Sequence, residues 1–135
     1  MAYLATDINP SPTIVGKLDK DYVDLRGRAV KFDANGNLTT ATADTDTVIG
    51  VVIMSNDKDN LKQGEDVHVQ IKDQGRVIVG AAVKPGQELM VDNNGRFIPA
   101  TAGKRFCAIS MGTASAADEY VVAIIGRTGT VGAGA

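Results

Sequence analysis

The chain has 135 residues, 44% of them hydrophobic and 22% charged, which fits one domain able to bury a usable core. Its formal net charge is −2 at pH 7, and its Lys and Arg residues sit among Asp and Glu. No positive stripe is left to neutralise phosphates, which argues against nucleic acid, and no apolar run approaches the roughly 20 residues of a membrane-spanning helix. The single cysteine, Cys107, forbids an intramolecular disulfide, and the opening Met-Ala-Tyr-Leu-Ala-Thr-Asp lacks the basic and long apolar regions of a secretory signal. Folding in a reducing cytoplasm is therefore expected.

Residues 1–25 hold Pro10 and Pro12, few strong apolar positions and no clear period, so they read as an extended N-terminal arm. A β domain is expected over 26–127. It opens with Arg28-Ala29-Val30-Lys31-Phe32 and enters Phe32-Asp33-Ala34-Asn35-Gly36-Asn37-Leu38, where Asn-Gly predicts a hairpin with a two-residue type I′ turn. Val48–Met54 follows as a strand apolar on both faces. Asp66–Ile71 alternates Val67, Val69 and Ile71 with Asp66, His68 and Gln70, the pattern of a half-buried strand. After a turn at Asp73-Gln74-Gly75, Arg76–Gly80 is expected to pair back. Lys84-Pro85-Gly86 then turns the chain into Gln87–Val91 and a second hairpin, Val91-Asp92-Asn93-Asn94-Gly95-Arg96-Phe97. The strand Phe106–Met111 comes next, then Ser115-Ala116-Ala117-Asp118, too short for more than a turn, then Glu119–Ile125, apolar on both faces from Tyr120. Residues 128–135 read as a flexible Gly-rich tail, mobile beyond about Val131.

These elements recur. The hairpin at Gly36 returns fifty-nine positions on, at Gly95, with Ala41-Thr42-Ala43 matched by Ala100-Thr101-Ala102, and an apolar strand and an acid-opened strand follow each copy. With only three tyrosines and three phenylalanines, the core must be mostly Val, Ile, Leu and Ala, which suits pleated strands. The fold class expected is all-β: a compact, β-barrel-like domain of short antiparallel strands and hairpins. Strands apolar on both faces need cover from another sheet, a barrel interior with a loop, or a second subunit, so oligomerisation is expected.

Chemistry is thin. His68 is the only histidine and falls on the polar side of its strand, and neither Ser55 nor Ser110 lies in a nucleophile-elbow pattern. Cys107, between Phe106 and Ala108, reads as a small hydrophobe. Asp33, Asn35 and Asn37 open like a calcium loop, but Leu38 stands where the sharp turn wants glycine and Asp44 where a bidentate Glu belongs. Asp57, Asp59 and Asn60 read as a solvated loop, and Gly126-Arg127-Thr128-Gly129-Thr130 lacks the ending of a phosphate loop. No catalytic residue, cofactor or metal site is expected.

The ordered elements Arg26-Gly27-Arg28-Ala29-Val30, Asp33-Ala34-Asn35-Gly36, Val48-Ile49-Gly50-Val51-Val52, Gly64-Glu65-Asp66-Val67-His68-Val69, Gly75-Arg76-Val77, Val83-Lys84-Pro85-Gly86-Gln87-Glu88-Leu89, Asn94-Gly95-Arg96 and Ile124-Ile125-Gly126 resemble the capsid decoration, or cement, proteins of tailed bacteriophages. The match spans roughly residues 22–127. The resemblance implies a β-tulip fold, often trimeric, on the exterior of the mature capsid, at three-fold or quasi-three-fold positions of the major capsid protein lattice, where it resists internal pressure. It also implies synthesis in the host bacterial cytoplasm and no catalytic residues. A slightly acidic surface suits the outside of a shell better than its DNA-facing side. Under that reading Tyr3, Leu4, Ile8, Pro10, Pro12 and Ile14 of the arm contact the capsid, and Val52, Met54, Val121 and Ile125 of the apolar strands form the trimer contact. The alternative is a carbohydrate- or receptor-binding module of a fibre or adhesin, for which Tyr3 and Tyr22 are the free aromatics.

Overall fold

The computed structural model describes residues 12–54 and 61–132, and these residues form ten strands and no helix. The strands are β1 (Thr13–Lys17), β2 (Ala29–Phe32), β3 (Leu38–Thr40), β4 (Gly50–Val52) and β5 (Asp66–Gln70), then β6 (Asp73–Ile78), β7 (Glu88–Val91), β8 (Phe97–Pro99), β9 (Arg105–Ser110) and β10 (Tyr120–Thr130). They make two antiparallel five-stranded sheets, ordered β1-β5-β4-β2-β3 and β6-β10-β9-β7-β8. The expected all-β domain is present, with its sheets open and not closed into a barrel.

The second order is the first advanced by five, so the chain builds one unit twice. The duplication extends to individual hydrogen bonds. Leu18 N–H donates to Glu65 O at 3.0 Å as Val79 N–H donates to Glu119 O at 2.9 Å. Gly27 N–H to Val52 O recurs as Gly86 N–H to Ser110 O, both 2.7 Å. The bridge pair Tyr22 and Leu61 recurs as Val83 and Ala114. The repeat read from the two Asn-Gly hairpins is therefore a repeat of the whole fold.

Both hairpins fall where expected, but the turn differs from type I′. Gly36 and Gly95 have φ of 79° and 76°, while Asn35 and Asn94 stay at negative φ. Each loop is instead closed by a bond from the N–H of Asp33 to Asn37 O, or of Asp92 to Arg96 O, both 2.8 Å, the pattern of a type I turn followed by a left-handed glycine. The aspartate selects it. Asp33 Oδ1 accepts the N–H groups of Asn35 and Asn37 at 2.8 and 2.9 Å, and Asp92 Oδ1 those of Asn94 and Arg96 at 2.8 and 3.0 Å.

Two expectations at the ends of the domain need correction. Over residues 13–25 the predicted arm is part of the fold: β1 pairs with β5, and Leu18 and Leu25 are each 1% exposed, so each contributes about 1.5–3 kcal/mol by burial. Residues 1–11 lie outside the described residues. At the other end β10 continues to Thr130 against β9, and Val131 N–H donates to Lys104 O, so the edge of the tail is drawn into the second sheet; residues 133–135 are outside the described residues. The segment after β5 is also different. Both edges of β5 are already taken by β1 and β4, so β6 cannot pair back and leaves to form the edge of the second sheet against β10.

Two cores result. Leu18, Leu25, Val30, Leu38, Val52, Leu61, Val67 and Val69 fill the first unit between its sheet and its own connecting segments. The second unit's core, around Leu89, Phe97, Val121 and Ala123, also takes in Ala29, Ala41 and Val51 from the first unit. The strand β4 thus has Val52 in one core and Val51 in the other. Its two apolar faces are covered by this chain alone, without a second subunit. Hydrogen bonds seal the junction: Ala29 N–H to Gly95 O at 2.9 Å, Ile78 N–H to Gly27 O at 3.0 Å, and Arg28 Nη1 to Asn94 O at 2.5 Å.

Candidate functional site

The reactive side chains are dispersed. His68 is exposed on β5 in the first sheet, as its polar register position predicts. Ser110, in the second sheet, is the one buried polar residue among the described residues, and its hydroxyl is turned into its own loop, donating to Gly112 O at 2.8 Å. Cys107 packs against the second core, and burial pushes its thiol up to about 12, partly offset by Arg105. Such a thiol is protonated at neutral pH and behaves as a small hydrophobe.

The calcium-like opening is used for folding, since Asp33 caps the turn through Asn35 and Asn37. Among the described residues no three His, Cys, Asp or Glu side chains stand where they could hold a metal ion. Ser55, Asp57, Asp59 and Asn60 lie outside the described residues, as do Tyr3, Leu4, Ile8 and Pro10. Gly126–Thr130 is strand, with the register of β10 on β9 shifting between Ile125 and Gly129.

Charged groups serve the scaffold. Asp46 accepts Lys31 Nζ at 2.9 Å and the Thr42 and Ala43 N–H groups at 2.8 and 3.2 Å. The Thr42 amide and the lysine hold its carboxyl below the usual range. Arg96 joins Asp92 at 2.9 Å to Asp118 at 3.1 Å.

The apolar residues expected to meet a partner fare differently from one another. Val52, Val121 and Ile125 are 0%, 5% and 4% exposed and belong to the two cores, so they cannot form a trimer contact. Only Met54 of that set is partly exposed. The reason is that two-faced apolarity in these strands reports cover from loops and the other unit. In the arm, Ile14 packs on the first core, and Pro12 is half-buried with its carbonyl accepting Ile71 N–H at 2.8 Å. Tyr22 is not a free aromatic: its ring packs on the first core and its hydroxyl donates to Asp19 at 2.7 Å. That removes the described half of the sugar-stacking pair.

What remains exposed is surface. Val15, Val23, Phe32 and Met111 are 54%, 75%, 48% and 47% exposed. An open groove of about 470 Å³ runs between the units, lined by Lys20, Val23, Asp24, Arg28 and Asn94 among others. Strand alternation alone does not locate these positions, because Val23 lies in a connection and Phe32, at the end of β2, shares its face with the buried Val30 and Leu38.

The fold is similar to the N base of head fiber gp8.5 of bacteriophage phi29, with a TM-score of 0.56 and 14% identity over 84% of this chain and 92% of that one. It is also similar to the C-terminal fragment of the phi29 gene product 12, with a TM-score of 0.59 and 14% identity over 85% of this chain and 98% of that one. At such identity the likeness concerns the fold. No curated protein matches the sequence. Residues 6–134, both units together, match the family described as structural cement protein (E217 gp24/Pam3 gp6), and the chain therefore belongs to the structural cement proteins of bacteriophages.

Proposed function

We propose that this chain binds the exterior of the mature capsid and stabilises it, as a trimer at three-fold or quasi-three-fold positions of the major capsid protein lattice. Membership of the cement family across nearly the whole chain carries the reading. The net charge of −2 suits an outer surface. Stabilisation is mechanical and additive: each copy bridges neighbouring capsid subunits, and preferential binding to the mature lattice shifts the balance away from its immature or dissociated forms. The chain is not an enzyme under this reading. It is made in the host bacterial cytoplasm and ends on the virion.

Capsid contact is assigned first to the N-terminal residues Tyr3, Leu4, Ile8 and Pro10, which lead directly into the edge strand β1 at Thr13. Sedimentation with undecorated mature shells and with immature procapsids tests the whole: binding to the mature shell is expected, and binding to neither overturns the reading. Deleting residues 1–11 stops short of β1 and Leu18 and removes none of the described core residues. Capsid affinity equal to that of the full chain would remove the N-terminal contact.

A further inference from the structure

The two units carry the same surface in different surroundings. In the first sheet the face bearing Ala29 and Val51 is covered, because both side chains enter the second unit's core. The register of the second sheet identifies the matching positions. Ala29 pairs with Val51 and Val51 with Gln70, as Glu88 pairs with Ile109 and Ile109 with Ile124. One step along, His68 corresponds to Val122, since Ile53 N–H donates to His68 O as Met111 N–H donates to Val122 O. Val122 also pairs with Arg76, which puts Arg76 on the same face.

On that outer face of the second sheet, Ile109, Val122 and Ile124 are half-buried, Met111 is 47% exposed, and none of the four belongs to either core; at one edge Val122 and Arg76 border an open groove shared with Val51, Ile53, Met54 and Gln70 of the first unit. We propose that copies of this chain meet through this face, with Ile109, Met111, Val122 and Ile124 packed between them and Arg76 of one copy beside Glu88 of the next.

Two observations argue for a second copy as the occupant. First, the fold does not require apolar residues there. The first unit carries His68 and Gln70 where the second carries Val122 and Ile124, and the 54% exposed Val15, paired with His68, where the second carries Arg76, so what stands on this face is set by its surroundings and not by the fold of the unit. Contiguous apolar residues with a polar rim are the usual composition of an interface. In the first unit, the covered part of this same face is packed against a sheet of this chain. Second, the flanks are self-complementary. Arg76 on β6 and Glu88 on β7 form no ion pair among the described residues. They are separated by β10 and β9, about 14 Å at the usual strand spacing, so a rotated copy brings opposite charges together. The inference rests on the chain acting as an oligomer and not on which shell it binds.

The test places at Val122 and Ile124 the residues that stand at the matching positions of the first unit, where Gln70 is held by a bond from its Nε2 to Lys72 O at 2.9 Å. The full chain and its Val122→His/Ile124→Gln double variant are compared by sedimentation velocity from low to high micromolar concentration, with thermal unfolding as the folding control. The wild type is expected to associate and the double variant to run as a monomer with unchanged unfolding. Separately, Arg76→Glu is expected to weaken association by about tenfold, and adding Glu88→Arg to restore it. A monomeric wild type, a double variant that associates like wild type, or charge reversals without mutual rescue would each overturn the proposal. Shell sedimentation keeps it separate from the capsid reading. Oligomers that depend on this face but bind no shell refute only the capsid reading, while oligomers indifferent to these substitutions that bind shells refute only this face.

Discussion

The duplicated hairpin offers an internally controlled perturbation: alanine at Gly36 and, separately, at Gly95. Both glycines are left-handed, at φ 79° and 76°, so a side chain costs about 1–2 kcal/mol at either position. Their surroundings differ. A Cβ at Gly36 meets nothing within 4 Å, whereas at Gly95 it lies 3.3 Å from Ala29 O and 3.4 Å from Ala41 O. Neither neighbour retreats freely. Ala29 O accepts Ala41 N–H at 3.0 Å, and Ala29 N–H donates to Gly95 O at 2.9 Å. Loosening one of these buried bonds adds about 1 kcal/mol, and loosening both about 2. Gly95→Ala should therefore be more destabilising than Gly36→Ala by about 1–2 kcal/mol, or roughly 3–8 °C in Tm for a domain of this size. Urea unfolding of both variants at equal m-value measures the difference directly. Equal losses, or a larger loss at Gly36, would refute the claim that the second turn is locked into the junction while the first is free.

Two pH-linked predictions follow from the charged and thiol groups. Burial raises the Cys107 thiol to about 12, so native protein should react with iodoacetamide at pH 8 far more slowly than protein in urea; equal rates would contradict the burial. Because the folded value lies above the unfolded one of about 8.5, this stabilisation is complete below that value and is lost as pH rises beyond it, and Cys107→Ala should remove that alkaline loss. Asp46 is shifted the other way, by the Thr42 N–H and Lys31, so its contribution is present above the ordinary carboxylate value and lost as pH falls through the lower folded one. Asp46→Asn should cost about 1 kcal/mol at pH 7 and progressively less on acidification, read from denaturant midpoints across pH.

Much of the fold is legible in the sequence because its strongest local signals are repeated. Asn35-Gly36 and Asn94-Gly95 locate both hairpins, and the matched spacing around them reports the duplication. The turn type was obscured by reading Asn-Gly alone: the aspartate before it, Asp33 or Asp92, supplies the carboxylate that favours the type I turn. β1 escapes a pattern search because five residues after two prolines show no period. The repeat could have found it, since Leu18 holds the place of Val79 in the same hydrogen bond. The apolar strands misled for a different reason. Alternation reports how many faces of a strand are dry but not what dries them, so Val52, under Leu18, Leu25 and Leu61, looks the same in sequence as a subunit contact. The exposed surface is least legible, because Val23 and Met111 gain their exposure only from the packing of everything else.

The two units have diverged in a way that their placement explains. Each needs one packed sheet face to fold, and both have it, with Val67 and Val69 in the first unit matched by Val121 and Ala123 in the second. The opposite face is free to vary. In the first unit it is apolar where the second unit covers it, at Ala29 and Val51, and beside that cover it carries His68, Gln70 and the exposed Val15. In the second unit Glu88 stands in the place of Ala29, while Ile109, in the place of Val51, stays apolar and Val122 and Ile124 are apolar too. A duplicated unit held only by folding would keep water-compatible residues at both sites, since exposed apolar area brings no stability to the isolated chain. Under the proposed association, this difference separates residues that make the scaffold from residues that meet another copy. For a cement protein, whose task is contact, the second group is where its specificity has to be written.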